Sequence, residues 1–156
     1  RGSSVIRVTS QIVIQRPLRE VFDFVTDAEN DRLWVAFARD ARKLTPGPIS
    51  RGTRFRQRGE FLGVQVSTDW EITEFEPCRR MVGEARSGSV VFRGIYDFDQ
   101  AIDGTRLGKS GTIQFNGLLA AGEPFLSVLF QSALEADLKG LKALLERGGQ
   151  AVRQAC

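Results

Sequence analysis

The stretch EPFLSVLFQSALEADLKGLKALLERGGQAVR, residues 123–153, decides the fold of this chain. Its apolar residues recur three and four positions apart, the period of a helix with one buried face, and Pro124 suits a first helical turn. The buried face carries Phe125, Leu126, Leu129, Phe130, Ala133, Leu134, Leu138, Leu141, Leu144 and Leu145. The opposite, wet face is predicted to carry Glu135, Asp137, Lys139 and Lys142. The stretch therefore predicts one long C-terminal helix that must bury an apolar stripe.

Strand-like sequence fills most of the chain ahead of this helix. Residues 5–14 alternate apolar and polar side chains, the pattern of a half-buried strand. Two short helices are predicted next, one at 17–26 that opens with Pro17 and one at 28–35 that begins near Asp27. Six further strand-like stretches, divided by turn residues, lie at 37–44, 53–58, 64–75, 80–85, 89–99 and 105–115. This order predicts an α+β protein in which an antiparallel meander precedes a long helix.

The composition narrows the class of protein. The chain has 156 residues, a net charge of +3 and no histidine. One domain is expected over residues 5–153, with 1–4 as a flexible N-terminus or a remnant of an expression vector. The lack of histidine excludes Ser-His-Asp and Cys-His catalysis and histidine metal ligation. The small excess of 22 lysines and arginines over 19 acids argues against a nucleic-acid partner.

Neither a metal nor a cofactor is predicted. Cys78 and Cys156 are too few for a disulfide scaffold, and whether they pair is left open. No apolar run is long enough to span a membrane and no signal peptide is visible, so a cytoplasmic location is expected. Two acidic clusters lack the spacing of a calcium loop and are interpreted as helix-capping and turn residues: Asp27, Glu29 and Asp31, and Asp97, Asp99 and Asp103.

Short motifs in a fixed order resemble one known superfamily. Arg16-Pro17 precedes the sequence VFDFVTD at 21–27, and Trp34 follows. The later motifs are Gly52-Thr53, WEITEFEP at 70–77 with Arg79-Arg80 behind it, and Gly104-Thr105 before the last strand. Nearly the whole chain resembles the helix-grip superfamily (SRPBCC), which includes START-like, birch-pollen-allergen-like and polyketide cyclase/dehydrase-like proteins. The motif order is specific for the fold and says little about chemistry.

The resemblance implies a seven-stranded, strongly curved antiparallel sheet wrapped around the C-terminal helix. A cavity between sheet and helix would hold a lipid, a sterol, a polyketide or a similar apolar molecule. We expect the first half of the helix to border this cavity and the leucine-rich second half to seal the core. The side chains expected to contact the ligand are Trp34, Phe55, Trp70, Phe92, Tyr96, Phe115, Phe125 and Leu129.

Few polar side chains are candidates for anchoring a ligand or for catalysis. Tyr96 has the best-placed hydroxyl for anchoring a ligand, and Glu60 and Asp69 are the weaker catalytic candidates behind it. Lys109 falls on the apolar phase of its strand. It either points inward as a polar anchor or is turned outward by a bulge near Gly108, and the bulge is favoured.

Gly94 interrupts an apolar strand face and is expected to bend the strand or to leave space beside the cavity. The apolar loop at 117–122, which contains Leu118 and Leu119, is either a gate or a packed connection. A homodimer could form through this loop or through an edge strand of the sheet.

Three functions fit the sequence, and binding of a hydrophobic small molecule, with transport as its extension, is preferred. The alternative is a cyclase or dehydratase that acts on the ligand in the same cavity, without metal or histidine. The third is a partner-binding module with a filled core. A tyrosine, a carboxylate and an arginine that converge in the cavity would favour chemistry.

Overall fold

The computed structural model describes residues 3–148, without the side chains of residues 3, 116 and 118–120. Helix α1 (Leu18–Thr26) and a 3₁₀ helix (Ala28–Leu33) follow the first strand. A second 3₁₀ helix (Gly117–Gly122) leads into the long helix α2 (Glu123–Arg147). The strands are β1 (Ser3–Ile14), β2 (Ala38–Lys43), β3 (Arg54–Phe61), β4 (Val64–Glu76), β5 (Arg80–Ser87), β6 (Val90–Ala101) and β7 (Gly104–Asn116). The predicted order of elements is confirmed.

All seven strands form one curved antiparallel sheet in the order β1-β7-β6-β5-β4-β3-β2. Helix α2 packs against β1. Two side chains of α2 fasten it there: Gln131 Nε2 donates to the Thr9 carbonyl oxygen at 2.9 Å, and Lys142 Nζ donates to the Val13 carbonyl oxygen at 2.7 Å. The sheet therefore grips the helix along one edge and leaves an interior between them.

The hydrophobic core lies under the C-terminal half of α2. Leu138 and Leu141 are fully buried there, and burial of each contributes about 2 kcal/mol. The Phe22 ring of α1 packs edge-on against the Phe98 ring, with centroids 4.9 Å apart. No side chain of α2 ahead of Leu134 is buried. The helix thus divides as predicted, with its second half in the core.

The ends of the chain differ from the predicted boundaries. Strand β1 begins at Ser3, because Ser3 and Ser4 pair with β7 and are not part of a flexible N-terminus. Helix α2 ends at Arg147, and residues 149–153 of the predicted helix lie outside the described residues. Gly148 caps it, and the Gly148 N–H donates to the Leu145 carbonyl oxygen at 3.2 Å.

Strand β3 runs through residues 59–61, where the sequence predicts a turn. Gly59 lies inside the strand, and a Cβ atom at this position would stand 2.1 Å from the Phe37 carbonyl oxygen. Glycine is required because the chain before β2 comes this close, and that same oxygen accepts a hydrogen bond from the Glu60 N–H at 3.0 Å. The turn is reduced to Leu62 and Gly63, which both have positive φ.

The predicted bulge in β7 is wrong. Pairing of β7 with β1 and with β6 continues without a shift past Gly108, and Lys109 lies opposite Ser10 on one side and Tyr96 on the other. Side chains of a regular strand alternate between the two faces. Lys109 therefore follows its apolar neighbours to the face that looks at α2.

Asp137 does not lie on the wet face of α2, where the sequence places it. It is 8% exposed, and its Oδ1 accepts a hydrogen bond from the Ala36 N–H at 3.0 Å. Ala36 lies in the segment between the first 3₁₀ helix and β2, and no backbone carbonyl of residues 3–148 accepts its N–H. The Asp137 carboxylate supplies the acceptor that this N–H requires. Glu135 and Lys139 are exposed as predicted, and Lys142 is half-buried.

Of the acidic residues predicted at caps and turns, Asp27 and Asp103 are found there, whereas Asp97 and Asp99 lie within β6 and Asp31 lines the interior. Asp27 caps the first 3₁₀ helix, since its Oδ1 accepts from the Glu29 N–H at 3.0 Å. Asp103 lies in the β6–β7 turn with a φ of 63°. Cys78 is buried in the β4–β5 turn, whereas Cys156 lies outside the described residues. None of the helices described between residues 3 and 148 is long and apolar enough to cross a membrane.

Candidate functional site

Among the described residues, the space between sheet and α2 contains two adjoining chambers, of about 430 Å³ and about 310 Å³. Small-molecule pockets in proteins are roughly 300–1,000 Å³. We call the larger one the apolar chamber and the smaller one the polar chamber, after the side chains in their walls. Seven residues belong to both walls: Val35, Phe37, Gln57, Trp70, Phe92, Ile113 and Phe130.

The apolar chamber is lined mainly by aromatic and aliphatic side chains. The Phe61 and Phe130 rings stack with centroids 5.1 Å apart and an interplanar angle of 14°, and Phe37 meets both edge-on. Phe130 belongs to α2, whereas Phe61 belongs to β3, so this cluster joins the helix to the far side of the sheet. Such rigid walls suit rings or acyl chains.

Three glycines stand side by side in the floor of the polar chamber. Gly83 pairs with Gly94, and Gly94 pairs with Gly111, across β5, β6 and β7. The Trp70 indole lies along this row, because a Cβ atom on Gly83 would be 3.4 Å from Trp70 Cε3 and one on Gly94 would be 3.9 Å from Cζ3. The prediction that Gly94 leaves space beside the cavity is confirmed.

Lys109 is the cation of the polar chamber. Its Nζ lies 4.7 Å from the centroid of the Trp34 ring and 5.2 Å from that of Tyr96. Burial lowers the pKa of Lys109, but the adjacent Tyr96, Asp31 and Asp137 outweigh burial, and the pKa is raised overall. The side chain is therefore a cation at neutral pH, held against the faces of two aromatic rings.

Asp31 faces this cation from the first 3₁₀ helix. Its Oδ2 accepts a hydrogen bond from Gln57 Nε2 at 2.8 Å, while its buried Oδ1 has no hydrogen-bond partner among residues 3–148. Burial raises the pKa of Asp31 to about 7, against the lowering effect of Lys109 and Gln57. A carboxyl of this kind changes its protonation near neutral pH.

Two further groups complete the polar end. Burial raises the pKa of Asp137, even though the Ala36 N–H and Lys109 favour its ionised form. Burial also raises the pKa of the Tyr96 hydroxyl, which therefore keeps its proton and can donate it in a hydrogen bond. One cation, one phenol and two carboxyls thus meet in an otherwise apolar cavity.

The structure brings together five of the eight predicted ligand contacts. Phe55, Trp70, Phe92, Tyr96 and Phe115 belong to the chamber walls. The other three do not. Trp34 is buried behind the wall with its ring against Lys109 and Tyr96, Leu129 is half-buried outside both walls, and Phe125 is 64% exposed on α2. Contact with a ligand stays a prediction for all eight.

The two acidic candidates lie away from the polar chamber. Asp69 is on the outer face of β4, where Arg56 binds its carboxylate at 2.9 Å and holds the pKa of Asp69 below its usual value. Glu60 borders the apolar chamber and forms an ion pair with Arg39. Neither carboxylate joins Tyr96.

Sequence reasoning missed Asp31, Gln57 and Asp137. Asp31 belongs to a cluster that reads as helix caps, and its neighbour Asp27 does cap the helix. Asp137 lies on the same side of α2 as Leu134 and Leu141, three before and four after it, and this spacing was a usable signal. Gln57 alternates with arginines on β3, so its inward phase was visible, but amides give no chemical signal by themselves. No group of three or more His, Cys, Asp or Glu side chains in residues 3–148 is arranged to hold a metal ion.

Comparison with known proteins agrees with this geometry. Residues 5–146 match the model of the family described as polyketide cyclase / dehydrase and lipid transport. The chain belongs to that family. This match confirms the predicted membership of the SRPBCC helix-grip superfamily. A search of curated protein sequences finds no match.

Solved structures of other proteins share the fold of this chain at low sequence identity. A protein of Thermus thermophilus superposes with a TM-score of 0.77 at 20% identity, covering 92% of this chain and 99% of that one. The di-domain ARO/CYC StfQ from the steffimycin biosynthetic pathway gives 0.73 at 13%, covering 92% of this chain and 51% of StfQ. Ara h 8.0201 gives 0.67 at 11%, covering 93% and 100%. These likenesses show the helix-grip fold.

Proposed function

We propose that this family member binds a small, largely apolar molecule between its sheet and α2, and that it moves protons at a carbonyl group of that molecule. One observation carries the proposal: a cation, a phenol and two carboxyls converge at one end of an apolar cavity. This pattern is the one that favours a cyclase or dehydratase over a simple carrier, with a lysine as the cation instead of the expected arginine.

Asp31 is suited to be the general base. Its pKa of about 7 matches a physiological pH, and its Oδ1 is free to accept a proton. In the proposed step, a C–H bond next to a ligand carbonyl breaks, the proton goes to Asp31, and the electron pair moves to the carbonyl oxygen. Asp31 returns the proton to a second carbonyl oxygen as that carbonyl carbon forms a new C–C bond.

Lys109 and Tyr96 are suited to stabilise the enolate oxygen formed in this step. Both groups are half-buried and lie against each other at the polar end of the cavity, and preorganised donors in a site that excludes water lower the energy of a developing negative charge. The apolar chamber would hold the rest of the ligand and keep water away. It would also keep two carbonyls of one chain close together, which is the main requirement of cyclisation.

Binding without chemistry, including transport, is the second candidate. The aromatic walls of the apolar chamber support it, because they fit a ligand that presents no reactive group at the polar end. A cytoplasmic location and a homodimer stay predictions from the sequence.

The test uses α-tetralone, an aromatic ketone with two fused rings and one carbonyl, in deuterated buffer. We expect the protein to accelerate exchange of the hydrogens next to the carbonyl, followed by proton NMR. Asp31→Asn should slow the catalysed exchange about a hundredfold, because it removes the base and keeps the shape. Asp99→Asn, which changes an exposed carboxyl of β6, is the matched control and should leave the rate unchanged.

Binding of the ketone is measured in the same samples from the broadening of its aromatic signals. Saturable binding without faster exchange would establish the carrier and overturn the proposed chemistry. No binding at all would overturn both candidates.

A further inference from the structure

We infer that the polar chamber binds its ligand as an oxyanion, that is, as an enol or phenol that has lost its proton and whose oxygen is held by Lys109. This site rests on the proposed function and deepens it, because it names the class of ligand: an apolar ring system or chain with one acidic hydroxyl. Four observations carry the inference, and each concerns a different group in the chamber.

The first is a cation that Asp31 and Asp137 influence from a distance but do not pair with. Across residues 3–148, Lys109 forms no ion pair within 4.0 Å, and its Nζ lies against the faces of the Trp34 and Tyr96 rings, with the Tyr96 hydroxyl as its side-chain hydrogen-bond partner. Lys109 is half-buried, and a charge that is withdrawn from water is costly unless it is paired. An anionic ligand in the chamber would supply the missing counter-charge.

The second is a hydrogen-bond donor in the chamber wall, the hydroxyl of Tyr96. The Tyr96 hydroxyl retains its proton because burial raises its pKa. An oxyanion accepts several hydrogen bonds, whereas an ether or a neutral hydroxyl accepts fewer.

The third is an acceptor for the ligand's proton. When the O–H bond of the ligand breaks, the electron pair stays on the ligand oxygen and the proton goes to the Asp31 carboxylate. The unpartnered Oδ1 of Asp31 is available for it. The chamber then contains the same net charge as before, because the negative charge moves from Asp31 to the ligand. Burial favours the neutral form of Asp31 in this exchange.

Charged groups reach the chamber from every side, and they fit this exchange. Lys109 comes from β7, Tyr96 from β6, Asp31 from the first 3₁₀ helix and Asp137 from α2. Burial raises the pKa of Asp137, so burial favours the neutral form of this carboxyl as well.

Glu71 and Arg93 border the same chamber from the outward phase of their strands. Arg93 is paired there with Glu84 at 3.5 Å, and Glu71 is exposed. Neither contributes an unscreened charge to the interior.

The fourth is the flat floor under this polar group. The Trp70 indole lies over Gly83, and beyond its edge the missing side chains of Gly94 and Gly111 leave space for a planar ring against the sheet. An aromatic or enolic hydroxyl is thus favoured over a flexible alkyl chain.

The experiment compares naphthol with methoxynaphthalene, which has the same rings and an ether that cannot ionise. Both are titrated with the full-length protein, and the absorbance band of naphtholate reports ionisation of the bound naphthol. We expect both probes to bind and the ionisation constant of bound naphthol to rise about tenfold or more over that of free naphthol, because a cation lies close to its oxygen.

Lys109→Met tests the residue, since methionine has a similar length and no charge. Bound naphthol should then ionise less readily than free naphthol, because only the burial effect is left. Methoxynaphthalene should bind this variant within about twofold of its wild-type affinity, which also shows that the variant is folded. Lys139→Met removes an equal charge from the exposed side of α2 and is expected to behave as the wild type.

Each outcome has one meaning. If both probes bind and bound naphthol ionises less readily than free naphthol in the wild type, the oxyanion site is refuted and the cavity of the proposed function remains. If neither probe binds, the proposed function fails, and the oxyanion site fails with it. If ionisation rises equally in the wild type and in Lys109→Met, the site exists elsewhere and the assignment to Lys109 is wrong.

Discussion

Lys109 of β7 pairs directly with Tyr96 of β6, and its ammonium nitrogen lies 5.2 Å from the centre of the tyrosine ring. Opposite residues of neighbouring strands point to the same face of a sheet. The unbroken register of β7 therefore places a cation and a phenol together under α2. This pairing turns an apolar cavity into a site that can act on oxygen.

The pH dependence of stability should report the burial of Asp31. Its pKa is about 7 in the folded protein, above the 3.8 of an unperturbed aspartate, so the folded state binds the proton more tightly than the unfolded state. Stability should therefore fall as the pH rises from about 4 to about 7. Relative to Asp31→Asn, the wild type should lose roughly 2–4 kcal/mol over this interval, because one unit of pKa corresponds to about 1.4 kcal/mol.

Urea unfolding followed by circular dichroism at a series of pH values measures this difference. Asparagine keeps the acceptor for Gln57 and cannot ionise, so the comparison isolates the charge. Parallel curves for the two proteins would show that Asp31 is not buried as described.

Asp137 should stabilise the fold through its backbone partner. Asp137→Ala leaves the Ala36 N–H without its acceptor, and we expect the free energy of unfolding to fall by about 1–3 kcal/mol. Asp137→Asn retains an acceptor oxygen and should lose less than half of that. The exposed Lys139→Ala serves as the control on the same helix, with an expected change within about 0.5 kcal/mol. Equal losses for alanine and asparagine would contradict the hydrogen bond.

Two glycine substitutions should have opposite effects on stability. Gly94 has room, since a Cβ atom would meet only Trp70 Cζ3 at 3.9 Å, and Gly94→Ala should gain about 0.5 kcal/mol. Gly104 has none, because a Cβ atom would lie 2.1 Å from the Ile14 carbonyl oxygen, and Gly104→Ala should lose at least about 2 kcal/mol. Thermal and urea unfolding of the two variants measure both values. A loss at Gly94 as large as that at Gly104 would show that the floor of the chamber is closed.

Trp70 should matter more for binding than for stability. Its indole belongs to both chamber walls and is only half-buried, so Trp70→Ala removes a dividing wall more than it empties a packed core. We expect the free energy of unfolding to fall by about 1–3 kcal/mol. Replacing a fully buried tryptophan by alanine typically costs more, about 3–5 kcal/mol.

Affinity for phenylnaphthylamine, a neutral fluorescent probe, should fall about tenfold in the same variant, because the stacking surface is lost. Ile102→Ala shortens an apolar side chain that is 90% exposed and is the control for both measurements. An unchanged probe affinity would place the ligand away from Trp70.

Much of the fold could be predicted, because the spacing of apolar residues and the positions of turn residues are local properties of the sequence. The alternation along 64–75 and the helical spacing after residue 123 required no knowledge of partners. The boundary at 59–63 could not be predicted. Gly59 reads as a turn residue, and only the approach of the Phe37 carbonyl explains why glycine stands inside a strand.

The polar side of the site was harder to predict than its aromatic walls. Tyr96, Trp70 and Phe92 follow from strand phase alone, because aromatic side chains on an inward face have few other places to go. Asp69 was a reasonable candidate by type, but its phase turns it outward to Arg56. Strand phase also predicts Lys109, and the bulge was favoured only because burying a lysine is costly without partners.

The sequence by itself determined the order of the elements, the single antiparallel sheet and the apolar lining of its inner face. These follow from hydrophobic period and from turn residues, which act within short windows of the chain. The tertiary structure alone decided that Asp31, Tyr96, Lys109 and Asp137 share one chamber. The four residues come from four different elements, so only the packing of the first 3₁₀ helix and α2 over the sheet brings their charges within reach of one another.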